Sequence, residues 1–171
     1  MTFREHEQAA EQTRPTVRCA VITLSDTRTE ATDKSGRRIR ELLEAAGHAT
    51  AHYQLLPDDP AALEPATRDL LARADVDVVL TNGGTGISRR DQTIGVIERL
   101  LDRALPGFGE LFRMLSWEQI GSGAMLSRAV GGITASGKPL FAMPGSTAAV
   151  ELAMTQLILP ELKHLLRELH K

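Results

Sequence analysis

From Val17 to Leu24 the chain is rich in valine, isoleucine and threonine and nearly free of charge. A strand with one wet face alternates apolar with polar positions, whereas a run without that alternation is expected of a strand covered on both faces. Such a strand needs apolar helices on either side of its sheet, and the following residues supply them. Ile39, Leu42, Leu43 and Ala46 fall at i, i+3, i+4 and i+7, a helical stripe that Gly47 can end at C′. Thr50 to Leu55 reads as a second strand. In the turn Pro57-Asp58-Asp59-Pro60, Asp59 is placed to cap a helix with Pro60 at N1. Leu63, Leu70, Leu71 and Ala74 continue that helix, and Pro65 predicts a kink or a delayed start. A third strand runs from Val76 to Thr81.

The pattern then repeats. Ile94, Ile97, Leu100 and Leu101 mark a helix, weakened at Gly95 by about 1 kcal/mol relative to alanine. Another spans about Phe108 to Gln119. Strands follow at Ala129 to Thr134 and Leu140 to Met143, separated by a turn at Ser136-Gly137-Lys138. From Ser146 to the C-terminus the pattern is helical, with an interruption at Pro160. Alternating strands and helices predict a three-layer α/β/α sandwich with a mostly parallel sheet, and the hairpin through Gly137 leaves room for one antiparallel strand. No repeat, low-complexity stretch or linker divides the chain. Residues 1–15 read as a flexible tail and 16–171 as one domain.

The charge balance, 20 basic against 22 acidic residues for a net charge of -2, offers no field to gather a polyanion, so nucleic acid is not the expected ligand. The N-terminal residues are polar and no apolar run reaches bilayer length, so the cytoplasm is the expected compartment. Cys19, the single cysteine, lies within the first strand and reads as a core residue rather than a nucleophile. His48 and His52 do not converge as ligands of a metal.

In open α/β sheets, ligands bind beyond the carboxyl ends of the strands. Four polar segments should gather there: Ser25-Asp26, Pro57-Asp58, Thr81-Asn82-Gly83-Gly84-Thr85-Gly86, and Pro144-Gly145-Ser146. Residues lacking a Cβ let backbone N–H groups close around an anion such as phosphate, and Thr81 and Thr85 add hydroxyls. The same glycines also suit a plain strand-to-helix turn. Neither the dinucleotide fingerprint nor the Walker lysine is present. Downstream, Arg89 and Arg90 are suited to phosphate and Asp91 to Mg²⁺, although Arg89 and Arg90 would also serve as a solvated pair and Asp91 as a helix cap. Asp58, which capping does not explain, is the second acidic candidate. Ser146 suits an anion at a helix N-terminus or an ordinary cap. Ser127-Arg128 adds a hydroxyl and a cation.

These segments, in this order, resemble the MoaB/MogA family of molybdenum cofactor biosynthesis. The resemblance extends from Val17 to about Leu162. It rests on Val21-Ile22-Thr23-Leu24-Ser25-Asp26, Asp33-Lys34-Ser35-Gly36, Thr81 to Gly86, Arg90-Asp91-Gln92-Thr93, Pro106-Gly107-Phe108-Gly109-Glu110, Leu126-Ser127-Arg128-Ala129 and Met143-Pro144-Gly145-Ser146. Phe112-Arg113-Met114-Leu115-Ser116 and Phe141-Ala142-Met143-Pro144 lean toward the MoaB branch. The resemblance implies a compact domain, assembled into trimers or hexamers, that binds molybdopterin. In active relatives Mg-ATP adenylylates the terminal phosphate of the pterin and releases pyrophosphate. The acidic catalytic positions, which would also hold Mg²⁺ through ATP, fall on Asp58 and Asp91. The pterin and phosphate pocket falls on Gly83 to Gly86, Ser127 and Pro144-Gly145-Ser146. Where many relatives carry an acidic residue and alanine, this chain has Gly95-Val96. A binding or carrier protein that passes molybdopterin to other proteins of the pathway is the alternative. Trp117, Phe108 and Phe112 are the expected apolar contacts between copies.

Overall fold

The computed structural model describes residues 16–171, and the tail expected over residues 1–15 lies outside them. The uncharged run becomes β1 (Arg18–Leu24), whose side chains are buried on both faces beyond Arg18. It lies inside a six-stranded sheet with β2 (Ala49–Leu56), β3 (Val78–Asn82), β4 (Leu101–Ala104), β5 (Val130–Thr134) and β6 (Pro139–Met143), in the order β2-β1-β3-β6-β5-β4. The strands β2, β1, β3 and β6 are parallel. Only β5 runs the other way, against both β6 and β4, so the expected antiparallel strand is present.

Helices cover both faces. Cys19 and Val21 of β1, Leu80 of β3 and Met143 of β6 meet Ile39 and Leu43 of α1 (Lys34–Ala45) and Phe112 of α4 (Pro106–Ile120). The same layer includes Val150 of α5 (Thr147–Ala153) and Leu162 of α6 (Leu159–Leu169). On the opposite face, Ala20, Ile22, Val79 and Leu140 meet Leu63 and Leu70 of α2 (Pro60–Ala72) and Ile94 and Ile97 of α3 (Thr93–Leu100). Neighbouring residues of β1 therefore belong to different layers, as the period of two requires. Cys19 is fully buried, and that burial pushes its thiol pKa up, as fits a core residue.

Some local expectations are corrected. The helix α2 is not delayed: the Asp59 side chain accepts from Ala61 N, Pro60 opens the helix, and it continues through Pro65. Leu101 is not helical but begins β4, a short, exposed and charged edge strand whose sequence carries no alternating pattern. The C-terminal interruption precedes Pro160 as a π-helical turn over Met154–Ile158. Pro160 cannot donate to the carbonyl four residues back and its ring crowds that group, which favours a widened turn there. Phe108 and Phe112 fill the core, Phe112 at 1% exposure, whereas Trp117 is 62% exposed. Among the described residues, no helix is long and apolar enough to cross a membrane.

Candidate active site

Because β1, β2, β3 and β6 are parallel, the segments after Leu24, Leu56, Asn82 and Met143 emerge at one edge. The reversed β5 brings its amino end, with Ser127 and Arg128, to that same edge, since Val130 pairs with Ala142. A cavity of about 450 Å³ opens there, lined by Ser25, Gly83 to Gly86 and Asp91, with Ser127, Arg128, Pro144 and Gly145 opposite.

Two glycines shape the loop. At Gly83 the backbone has φ +95°, and a Cβ would stand 2.2 Å from Leu24 O. At Gly84, with φ +63°, a Cβ would meet both Asp58 Oδ1 and Thr93 Oγ1 at 2.3 Å. Any larger residue would displace these oxygens, so the two groups gather against bare backbone. The loop is thus both a tight turn and a backbone surface against which an acidic and a hydroxyl oxygen pack, while Asp91 lines the cavity itself.

Not every expected residue faces the cavity. The buried Thr81 hydroxyl donates to Phe141 O, and the buried Asn82 amide donates to Ile22 O and Thr23 Oγ1, so both tie strands together. Asp26 accepts from Asp58 N and pairs with Arg90, which holds the β2 loop to the Arg-Arg-Asp segment. Ser146 caps α5 by accepting from Ala149 N. Ser25 Oγ accepts from Thr27 N and Arg28 N.

Asp58 and Asp91 experience opposite surroundings. Burial first, then the charges of Asp91 and Asp26, push the Asp58 carboxyl above its ordinary pKa range, and Arg90 offsets part of this. Asp91 is held below that range, first by the Ser88 hydroxyl and further by the backbone amides of Ser88 and Gly86 and the Arg128 charge, which together outweigh desolvation. It does not cap α3, whose N-cap is Gln92, so that alternative for Asp91 is set aside. Arg128 donates to Gly86 O at 3.0 Å.

Thr93, absent from the sequence-based candidates, is 3% exposed, and its Oγ1 is the single buried side-chain polar atom without a hydrogen-bond partner among the described residues. A buried hydroxyl left unpaired is costly, and this one stands beside the Asp58 carboxylate against the Gly84 backbone. Among the described residues, no three His, Cys, Asp or Glu side chains could hold a metal ion alone. Mg²⁺ commonly takes one or two carboxylates and completes its shell with phosphate and water, so the donors here suit a cation that arrives with a phosphate.

Beside the loop lies a buried network. Asp33 Oδ1 accepts from Gly36 N at 3.0 Å and from Ser35 Oγ at 3.1 Å, while Oδ2 accepts from Tyr53 OH at 2.7 Å. Arg28 donates to Ser35 Oγ at 2.6 Å and to Gly145 O at 2.9 Å, joining the ends of β1 and β6. Its only sequence signal is its place just after a strand end. Burial opposes charge on Asp33, but the hydrogen bonds from Thr23, Gly36, Tyr53 and Ser35 outweigh it and hold the carboxyl below its ordinary range.

A bare-backbone loop flanked by cations and carboxylates, at the carboxyl ends of parallel strands, is the arrangement with which α/β domains accept anionic ligands. Residues 20–164 match the family model described as a probable molybdopterin binding domain, and the chain belongs to that family. It is 54% identical over 172 residues to molybdenum cofactor biosynthesis protein B of Bacillus cereus, covering 100% of this chain and 99% of that protein. A crystal structure of a molybdenum cofactor biosynthesis protein B superposes with a TM-score of 0.88 at 56% identity, covering 90% of this chain and 96% of that one. The tungsten cofactor synthesizing protein MoaB of Pyrococcus furiosus superposes with a TM-score of 0.78 at 37% identity, covering 92% and 99%.

Proposed function

We propose that this chain binds molybdopterin at the edge beyond β1, β3 and β6 and adenylylates its terminal phosphate with Mg-ATP in the cytoplasm. The observation that carries this reading is the gathering of Asp58, Asp91 and the unpaired Thr93 hydroxyl around the glycine loop, with Arg90 and Arg128 beside them. The backbone of Gly83 to Gly86 holds phosphate, Ser127 and Pro144-Gly145 close the opposite wall, and Ser25 supports the first strand end. Asp58 and Asp91 hold the cation, which when bound neutralises charge on the transferring phosphoryl group. A phosphate oxygen of molybdopterin forms a new bond to the α-phosphorus of ATP as the bond to pyrophosphate breaks. Alignment and charge neutralisation supply most of the acceleration.

Purified protein mixed with molybdopterin and Mg-ATP should yield adenylylated pterin and stoichiometric pyrophosphate. Tight pterin binding without either product would replace this reading with that of a carrier serving other proteins of the pathway. One observation favours the carrier: Asp91 is already engaged by Ser88 through both its backbone N–H and its hydroxyl. The chain should also assemble into trimers or hexamers, with exposed Trp117, Met114 and Ile120 on α4 supplying apolar contact. Sedimentation showing only monomer at micromolar concentration would remove the assembly.

A further inference from the structure

Along α4 the exposed Leu111, Met114, Trp117 and Ile120 recur every third residue, so they form one i±3n ridge on the helix surface. The ridge runs into the 3₁₀ turn Gly121–Leu126, whose Met125 and Leu126 are also exposed and of which only Ala124 is buried. Ile120 Cδ1 lies 3.6 Å from where a Gly123 Cβ would stand, so the ridge ends against this turn. Through Gly123 and Leu126 the same turn walls the glycine-loop cavity. Six large apolar side chains thus face water together, and at roughly 100 Å² apiece they supply most of the about 800 Å² that each partner gives to a standard interface.

At the other end of the ridge an apolar groove of about 500 Å³, large enough to take an indole, opens between the start of α4 and the C-terminal helices. Leu105, Pro106, Phe108 and Leu111 line one bank, and Leu157 and Leu165 the other. One chain therefore carries a projecting apolar ridge beside an apolar groove. A ridge set into a groove joins copies head to tail and closes into a ring, whereas ridge against ridge about a twofold axis would leave the groove wet.

We propose that the groove of a second copy of this chain takes Trp117 and Ile120, and that this contact completes the ligand cavity by holding the turn Gly121–Leu126 in place. The inference rests on that cavity being the ligand site and goes beyond assembly as such, because it makes the site incomplete in a lone protomer. Within one chain the turn has little to hold it. Runs of 3₁₀ helix beyond three or four residues are uncommon, this one spans six residues, and among the described residues no side chain caps its start. A wall formed only part of the time lowers the apparent affinity by the fraction formed, and a contact that favours the formed state raises that fraction.

The test combines sedimentation of the full chain with calorimetric titration of pyrophosphate in Mg²⁺ buffer. Trp117→Glu and Gln156→Trp change exposed residues, the first on the ridge and the second at the groove, which the new indole fills. Each variant alone should keep the far-ultraviolet circular dichroism of wild type, sediment as a monomer and bind pyrophosphate about tenfold or more weakly. An equimolar mixture unites the intact ridge of Gln156→Trp with the intact groove of Trp117→Glu. Association should return, and with it wild-type affinity at about half of the sites. Monomeric wild type, or a mixture of folded variants that stays apart, would overturn the pairing of ridge and groove. Monomeric variants with wild-type pyrophosphate affinity would overturn the claim that a second copy completes the cavity. If oligomeric wild type binds no pyrophosphate, the ligand reading of the cavity fails and the inference falls with it. Association and affinity lost together in the variants support the inference even where no adenylylated pterin is formed, so failure of that reaction is told apart from failure of this contact.

Discussion

Around Asp33, both carboxylate oxygens are spoken for, and Ser35, Arg28, Tyr53 and Asn82 join them in a connected buried set. A few residues away, at Gly84, Thr93 Oγ1 has no partner and Asp58 lies under the negative fields of Asp91 and Asp26. Both clusters belong to the same sheet edge. The first is complete without a ligand and fixes where the strand ends sit, whereas the second is left electrostatically unfinished. Unfinished polar groups in a buried wall are where a ligand has most to contribute.

The most direct way to break this contrast is Asp91→Asn. If Asp91 acts on the metal and phosphate, turnover should fall by about two orders of magnitude or more, while pterin affinity and thermal midpoint stay near wild type. Near-normal adenylylation by Asp91→Asn would leave Asp58 as the remaining acidic candidate. The corresponding change on the finished side, Asp33→Asn, should behave oppositely. Replacing the buried acceptor introduces a donor beside the Gly36 N–H and Tyr53 hydroxyl, costing about 2–3 kcal/mol in urea unfolding, with turnover of the folded fraction within a few fold of wild type. Equal stability of Asp33→Asn and wild type would erase the distinction between scaffold and site.

Thr93 sharpens the comparison with a smaller effect of unusual sign. Valine keeps the shape and removes the unpaired hydroxyl, so Thr93→Val should leave stability unchanged or raise it by up to about 1 kcal/mol. Turnover should fall about tenfold and return in Thr93→Ser, which restores the hydroxyl. A stable, fully active Thr93→Val would mean that no ligand uses this group.

The fold was legible in the sequence wherever a single period governed a segment. The uncharged β1 run and the stripe of Ile39, Leu42 and Leu43 lead directly to the covered sheet and to α1. Leu101 was misread because it extends the apolar spacing of α3 while its backbone already pairs with Thr134 of β5, a contact made across sequence. In the candidate site, glycines and acidic residues were visible because their chemistry is local. Thr93 and Arg28 were not, since nothing in their neighbours reveals that one lacks a partner and the other spans to Gly145. Thr81 and Asn82 were over-read for the converse reason: polar residues beside a glycine loop look like ligands until their partners within the sheet are known. Gly95 has only the Arg99 guanidinium near the place of a Cβ, so packing does not demand glycine there.

The smallest expected effect lies far from the site, at His48, and separates the stability of the scaffold from the chemistry of its edge. His48 is buried just before β2, and its Nδ1 accepts from Val17 N at 3.2 Å, so the imidazole is neutral with its proton on Nε2. Burial, aided by the charge of Lys163, lowers its pKa in the folded state. The unfolded chain, whose histidine titrates near about 6.5, therefore binds more protons than the folded one as the solution is acidified. The stabilising contribution is full above that unfolded value and is lost as pH falls through the folded pKa. Lowering pH from 7.5 to 5 should thus destabilise the fold through this residue, and His48→Gln, which retains an acceptor, should show a shallower decline. The contribution of Asp33, whose pKa is depressed from the carboxylate range, is lost only at lower pH and leaves this window clear. Parallel pH slopes for wild type and His48→Gln would show that the bond to Val17 survives acidification and that His48 does not couple this edge of the fold to protons.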